Sequence, residues 1–366
     1  MKIGILSLVL HTNYGGILQT YALQTILKRM QHDVRIIYMP IRENEHKPFM
    51  FLRYMKRGFY KYILKKEVSI FYERRKNRLR IILESNTSRF IQKHINTFQI
   101  NTFDDIKPTD FDCFVVGSDQ VWRPKYFKQQ YRTGIENAFL SFAKNWNVNR
   151  ISYAASFGTD VWEYTEEETK CCKELIKLFN NVSVREISGV SLCKNKLGIN
   201  ASCSLDPTLL LEKEDYLSLV DSRLSEGNLM VYVLDRVEDI DRLIDIVATE
   251  KHLKPFYPNV RKKTIISIPP IEDWIKGFRD AEFVITDSFH ACVLSIIFNK
   301  PFIVIGNKDR GYSRFENLLN MFHLENRLIE TPSQYNHGLL EPLPTSIYKD
   351  LELKRKESYN YIKDCL

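Results

Sequence analysis

Hydrophobic and polar positions along this chain fall into two recurring patterns: short β-branched runs suited to strands buried on both faces, and longer stretches with apolar residues three and four apart. Ile3–Val9 reads as a strand, His11–Gly16 as a polar loop, and Ile17–Met30 as a helix with Leu18, Tyr21, Ala22, Ile26 and Met30 on one stripe. Val34–Met39 is the next strand, stopped by Pro40. Phe111–Gly117, Arg150–Ser156 and Val182–Arg185 repeat the buried-strand pattern, with helices over Glu166–Phe179 and from Arg185 to about Leu197. After Asp206–Gly227, a Pro-bearing and then acidic stretch that reads as a junction, the alternation resumes. Strands are expected at Leu229–Leu234, Thr264–Ile268, Phe283–Thr286 and Phe302–Ile305. The intervening helices are Val237–Lys251, Ile271–Arg279, Phe289–Phe298 and Arg314–Met321, and Tyr348–Leu366 closes the chain as a charged, amphipathic helix. Strands alternating with helices predict an α/β fold with parallel sheets, and two lobes with a cleft between them suit this length. We therefore read residues 1–205 as an N-terminal α/β domain, 206–340 as a C-terminal one, and 341–366 as a terminal helix.

The most informative segment is FVITDSFHACVLSIIFNKPFIVIG, residues 283–306: strand, tight turn, helix, strand. Open parallel sheets bind ligands at the carboxyl ends of strands and the amino ends of helices. His290, the one side chain in this segment whose ordinary titration range spans neutrality, lies at that position. A plainer reading makes Asp287 and Ser288 helix caps and His290 a surface residue of the first turn.

Composition narrows the classes. With 44% hydrophobic and 27% charged residues the chain is globular in character, and a net charge of +8 favours anionic partners. Seven cysteines form no C-x-x-C pair and sit mostly in apolar contexts, so reduced buried thiols are expected. No H-x-x-x-H, H-E-x-x-H or Cys/His cluster marks a metal site, and no nucleic-acid recognition motif is present. Ile3–Leu10 is a short apolar run followed by a Gly-bearing polar loop, which suits a first strand better than a secretion signal. A cytoplasmic protein is expected.

Residues 49–100 break the α/β pattern with a helical, aromatic and basic insertion. Between Leu52 and Arg80 eleven Lys or Arg face two acids, Glu67 and Glu73, interleaved with Phe59, Tyr60, Tyr62, Ile63, Leu64, Ile70, Phe71 and Tyr72. Such a stretch suits contact with an anionic membrane surface, which would make the protein peripheral at the inner face of the cell membrane. It equally suits a helical insertion whose charges are solvated.

Several other positions carry candidate chemistry. Asn13-Tyr14-Gly15-Gly16 lacks dinucleotide or Walker spacing, but its glycines would let backbone N–H groups approach a ligand, if they do not simply make a tight turn. Gly117-Ser118-Asp119-Gln120-Val121-Trp122 follows a buried strand. Asp119 and Gln120 suit sugar hydroxyls, and Trp122 would offer its face to a pyranose or else pack in the core. Arg185 ends a buried strand, fit to fork onto a carboxylate or phosphate, or to pair with Glu186 or Glu174. Lys308, Arg310 and Arg314 follow the strand after His290 and suggest an anion pocket unless they are solvated. Cys292 lies two residues from His290 on a helix and so points elsewhere, which argues against a cysteine nucleophile.

GILSLVLHTNYGGILQTYALQ, FVVGSDQVWRP, ISYAASFG, SVREISG, SLDPTLLL and VITDSFHACVLSIIFNKPFIVI, in that order over residues 3–320, resemble the polysaccharide pyruvyl transferase family. The resemblance implies two Rossmann-like lobes in a GT-B-like arrangement, the basic insertion lying in the first. It also implies transfer of pyruvate from phosphoenolpyruvate onto a hexose as a cyclic ketal, with phosphoenolpyruvate as co-substrate and no other cofactor. On that footing His290 is the proton donor. Arg185 and Arg314 clamp the donor, with Ser288, Lys308 and Arg310 beside it. Asn13, Gly15, Gly16, Asp119, Gln120 and Trp122 face the acceptor, a polysaccharide or lipid-linked saccharide. Where the family carries an Arg just before the histidine, this chain has Ser288 and Phe289. Either Arg310 or Arg314 supplies that charge, or the donor differs. The same scaffold would also serve a nucleotide-sugar-dependent glycosyltransferase, or a non-catalytic glycan- or membrane-binding protein.

Overall fold

The computed structural model describes residues 1–41, 50–258, 267–306 and 312–366, whose strands form two wholly parallel sheets. The first contains β1 (Lys2–Leu6), β2 (Asp33–Tyr38), β3 (Thr97–Gln99), β4 (Cys113–Val116), β5 (Asn149–Ala155), β6 (Asn181–Val184) and β7 (Ser202–Cys203), in the order β3-β2-β1-β4-β5-β6-β7. Its register pairs Ile3 with Val34 on one side and with Cys113 on the other. The second contains β8 (Leu229–Tyr232), β9 (Pro255–Phe256), β10 (Phe283–Thr286), β11 (Phe302–Ile305) and β12 (Leu328–Ile329), in the order β12-β11-β10-β8-β9. The strand expected over Thr264–Ile268 falls mostly outside the described residues, and the edge position next to β8 belongs to β9.

These orders locate the cleft. Chain direction across the first sheet reverses between β1 and β4, and across the second between β8 and β10. At such switch points the loops leaving neighbouring strands diverge and open a crevice. The two crevices face each other, so one cleft is walled by the loops after β1, β4, β8 and β10.

Two helices line the seam between the sheets. The first, Tyr14–Arg29, begins three residues earlier than its apolar stripe suggests and takes Gly15 and Gly16 into its first turn. The second, Phe289–Ile297, is buried along its whole length, as a helix without a polar face must be. Tyr14 fastens the seam: its hydroxyl donates to the Pro269 carbonyl at 2.5 Å, and its ring packs against Tyr232 and Trp274. Between β2 and β3 the chain inserts helices Met50–Tyr62, Tyr72–Leu83 and Ser85–His94. All seven cysteines are free thiols, and burial pushes that of Cys292 well above its ordinary range.

The segment after β7 is packed, although its sequence is rich in polar residues. Leu209, Leu211 and Tyr216 are fully enclosed. The terminal helix, Ser346–Cys365, returns across it to the first sheet, where the Tyr361 hydroxyl donates to the Ser152 carbonyl at 3.3 Å. On the way Arg355 donates from Nε to the Leu209 carbonyl (2.7 Å) and from Nη2 to that of Leu211 (2.6 Å). Charge-assisted bonds to otherwise unpaired carbonyls contribute about 1.5–3 kcal/mol each. Arg355→Ala should therefore lower the free energy of unfolding by about 2 kcal/mol, read from denaturant titration. An unchanged midpoint would show that the helix does not hold this segment.

Candidate functional site

The cleft has a volume of about 350 Å³. One wall carries Leu8, His11, Thr12 and Asn13 after β1, with Asp119 and Gln120 after β4. The other carries Tyr232 and Leu234 after β8, with Asp287, Ser288, Phe289 and His290 after β10. Arg314, from helix Tyr312–Met321, reaches in beside Phe315.

Behind His290 lies a buried carboxylate. Asp206 Oδ2 is 3.7 Å from His290 Nε2, an ion-pair distance too long for a hydrogen bond, and 2.8 Å from Arg185 Nη1. Its other oxygen accepts the Thr208 amide at 2.9 Å. Desolvation opposes the charge, but the His290 imidazole, Arg185 and the Thr208 amide outweigh it and hold this carboxyl well below the usual carboxylate range. Arg185 also bonds Glu186 (Nε to Oε1, 3.2 Å), and Glu186 in turn accepts the Ser156 hydroxyl at 2.6 Å. Burial pulls the Arg185 pKa down, but Glu186, Asp206 and Asp119 together raise it above the ordinary arginine value. Only 3% of Arg185 is exposed, and it faces these carboxylates rather than the cleft.

Two guanidiniums lie within cation–π distance of the Phe289 ring, Arg185 Cζ 4.7 Å and Arg314 Cζ 5.5 Å from its centroid. Burial first, and the charge of Arg185 second, push Arg314 down to about 10. An anion in the cleft beside Arg314 would relieve both penalties.

The opposite wall is polar. Asn13 Nδ2 donates to Asp119 Oδ2 at 3.3 Å, and Asp119 Oδ1 accepts the Gln120 amide at 2.8 Å. Asp119 holds a left-handed backbone (φ +69°), fixed by its carbonyl accepting the Ser156 amide at 3.0 Å. Strain of this kind is typical of a side chain aimed for use. Gln120 accepts from Arg123 Nη1 at 3.1 Å, which commits its amide oxygen.

With this geometry in hand, comparison decides the family. The model of the family described as polysaccharide pyruvyl transferase matches residues 13–309. The chain belongs to that family. No curated protein matches it. Among solved structures, a Listeria monocytogenes protein described as a UDP-N-acetylglucosamine 2-epimerase superposes with a TM-score of 0.50 at 11% identity, covering 98% of this chain and 89% of that one. UDP-GlcNAc 2-epimerase from Neisseria meningitidis gives 0.48 at 10% identity, covering 100% and 99%. The glycotransferase of kitacinnamycin gives 0.47 at 9%, also covering 100% and 99%. At 11% identity the likeness to the Listeria protein is one of fold: two parallel α/β sheets in the GT-B arrangement.

Within this pyruvyl transferase family member, several sequence expectations are relocated. Trp122 is 0% exposed, stacked on Phe139 with its indole N–H donated to the Ala138 carbonyl, so it cannot offer a face to a sugar. Its strand-end position suggested a platform, but the chain turns inward there. Gly15 and Gly16 are buried and contact protein rather than the cleft. A Cβ on Gly15 would lie 2.0 Å from His290 Nδ1, and one on Gly16 2.9 Å from Asn13 Nδ2. Ser288 lines the cleft and Asp287, instead of capping the helix, accepts the amides of Leu234 (2.8 Å) and Asp235 (2.9 Å). Lys308 and Arg310 lie outside the described residues.

Two cleft groups escaped the sequence reading. Asp206 was legible only as part of an Asp-Pro junction, within the SLDPTLLL segment. His11 was legible only as loop. The His11 Nδ1 accepts the Thr12 amide at 2.6 Å, and burial, then Arg80, push its pKa down. An Nδ1 that accepts an amide favours the tautomer with its proton on Nε2.

Gly15→Ala should leave the helix intact, since alanine favours helix over glycine by about 1 kcal/mol, yet displace the His290 ring. Circular dichroism should be unchanged and turnover should fall by about tenfold or more; undiminished turnover would show that the close approach is incidental. For Asp206, the depressed folded pKa means a stabilising contribution present above its ordinary value near 3.8 and lost as pH falls below it. Asp206→Asn should thus cost about 3 kcal/mol near neutrality, and the gap from the unmodified protein should shrink below about pH 4. A gap independent of pH would mean that the carboxylate is not charged in the folded state.

Proposed function

We propose that the protein transfers pyruvate from phosphoenolpyruvate onto two hydroxyls of a hexose in a polysaccharide or its lipid-linked precursor, forming a cyclic ketal. The observation that supports this reading most directly is that His290, backed by the Asp206 carboxylate, shares one cleft with Arg314 and faces the polar wall of Asn13, Asp119 and Gln120.

Phosphoenolpyruvate presents a carboxylate and a phosphate around an enol carbon. In the proposed scheme imidazolium His290 gives its proton to the methylene carbon, and a sugar hydroxyl adds to the neighbouring carbon. Asp206 stabilises the charged ring before the transfer and keeps it in place. Phosphate then leaves, the second hydroxyl attacks the same carbon, and the ketal closes. One hydroxyl proton restores His290 and the other departs with phosphate, so the atoms balance. Arg314 bears the donor's anionic charge. Arg185 positions Asp206 and, through Phe289, Arg314. Asn13, Asp119 and Gln120 hold the two hydroxyls at attacking distance. The scheme calls on no cofactor beyond phosphoenolpyruvate as co-substrate. We place the acceptor at the inner face of the cell membrane, which the basic insertion would meet.

His290→Gln keeps ring-sized volume without a titratable group. Phosphate release from phosphoenolpyruvate plus acceptor should fall by about 10²–10⁴-fold, with the melting temperature retained. The parent protein should be stabilised in thermal-shift assays by phosphoenolpyruvate and not by nucleotide sugars. Stabilisation by nucleotide sugars alone, with His290→Gln fully active, would overturn the reading in favour of glycosyl transfer.

A further inference from the structure

The helix Met50–Tyr62 is amphipathic with its faces inverted. Phe51, Leu52, Met55, Phe59 and Tyr62 recur at the spacing of one helical face, and all are more than half exposed; Phe51 and Tyr62 reach 70%. Ile63 extends the face past the helix end. The other side of the helix holds it to the protein. Met50 is buried, Tyr54 packs edge-on against Phe71, and Arg57 forks onto Glu73 at 2.6 and 2.8 Å. Ile81, on the neighbouring helix Tyr72–Leu83, is 73% exposed. Over half of the large exposed hydrophobic residues among the described residues fall between positions 51 and 82. A globular protein does not present so much apolar surface in one place unless something covers it.

Charge identifies the cover. A second copy of the chain would bring eleven Lys or Arg against eleven more, with only Glu67 and Glu73 on each side to offset them. An anionic bilayer satisfies both features: the apolar face enters the acyl boundary while the flanking cations meet phosphate headgroups. Arg53, Lys56, Arg57, Tyr60 and Tyr72, with one carboxylate, Glu67, also line a groove of about 560 Å³ beside that face, in which three cations outnumber the single acid.

We infer that this helix is an interfacial docking element, lying in the plane of an anionic lipid bilayer with Phe51, Leu52, Met55, Phe59 and Tyr62 immersed. The docked insertion also lies near the cleft. Arg80 of helix Tyr72–Leu83 donates to the Ile41 carbonyl and acts electrostatically on His11 at the cleft mouth. A saccharide tethered to lipid would thus meet the cleft without leaving the membrane. That last consequence rests on the pyruvyl transfer reading; the docking does not.

Flotation of the full chain with vesicles tests it. Binding to phosphatidylcholine vesicles containing about one-third phosphatidylglycerol should exceed binding to phosphatidylcholine alone by about tenfold and weaken with salt. The pair Met55→Glu and Phe59→Glu, both at exposed positions, should abolish flotation while leaving the melting temperature and turnover of a soluble saccharide unchanged. Absence of flotation by the parent protein, or its persistence in the double variant, would overturn the inference. So would sedimentation showing a dimer that the same substitutions dissolve. Flotation without any phosphoenolpyruvate turnover would sustain the docking and discard the transferase reading.

Discussion

A carboxylate removed from water must be surrounded by compensating groups, and at Asp206 those groups come from separate parts of the chain. Arg185 arrives from the end of β6, the Ser118 hydroxyl from the end of β4 (3.3 Å), the Thr208 amide from the following turn, and His290 from the helix after β10 of the second sheet. Separating one charge from such a cluster costs about 3–5 kcal/mol, comparable to a large share of a domain's net stability. The carboxylate that orients the imidazole is therefore also a fixed point of the fold. Its neighbours cannot be varied independently, because each is a counter-charge or donor for the next.

Around that point the architecture leaves the cleft little freedom of place. Parallel sheets send every strand's carboxyl end the same way, and each sheet changes direction once at its centre. The two openings face each other because Tyr14, Tyr232 and Trp274 pack across the seam. Phe289, just before the histidine, lies within cation–π distance of both Arg185 and Arg314. The negative face of an aromatic ring attracts a nearby cation, which offsets part of the cost of burying these guanidiniums. The cleft does hold a cation from another element, Arg314 of the helix Tyr312–Met321.

Much of this was legible in the sequence because buried parallel strands and their helices have strong local signatures. The β10–helix–β11 unit and its histidine were read from apolar runs alone, and the strands Phe283–Thr286 and Phe302–Ile305 match residue for residue. The edge strands β3, β7, β9 and β12, of two or three residues each, are too short to show any periodicity. Asp206 was missed because its importance lies in partners 21 and 84 residues away, while locally it is a turn-forming Asp-Pro. Trp122 misled for the converse reason. Its local setting suited a sugar platform, and only the packing of Phe139, Phe157 and Phe179 around it makes it core. Gly15 was read as a place for a ligand, when the group that comes close is the imidazole of another lobe.

That imidazole follows β10 of the second sheet and its carboxylate partner follows β7 of the first, so the halves built on the two sheets meet at this pair, as they do where Gly15 approaches the ring. If the halves swing apart, the histidine parts from its counter-ion and from the first turn that seats it. Such a molecule would behave as an interlock, its imidazole seated against Gly15 and beside Asp206 only while the two sheets stay together.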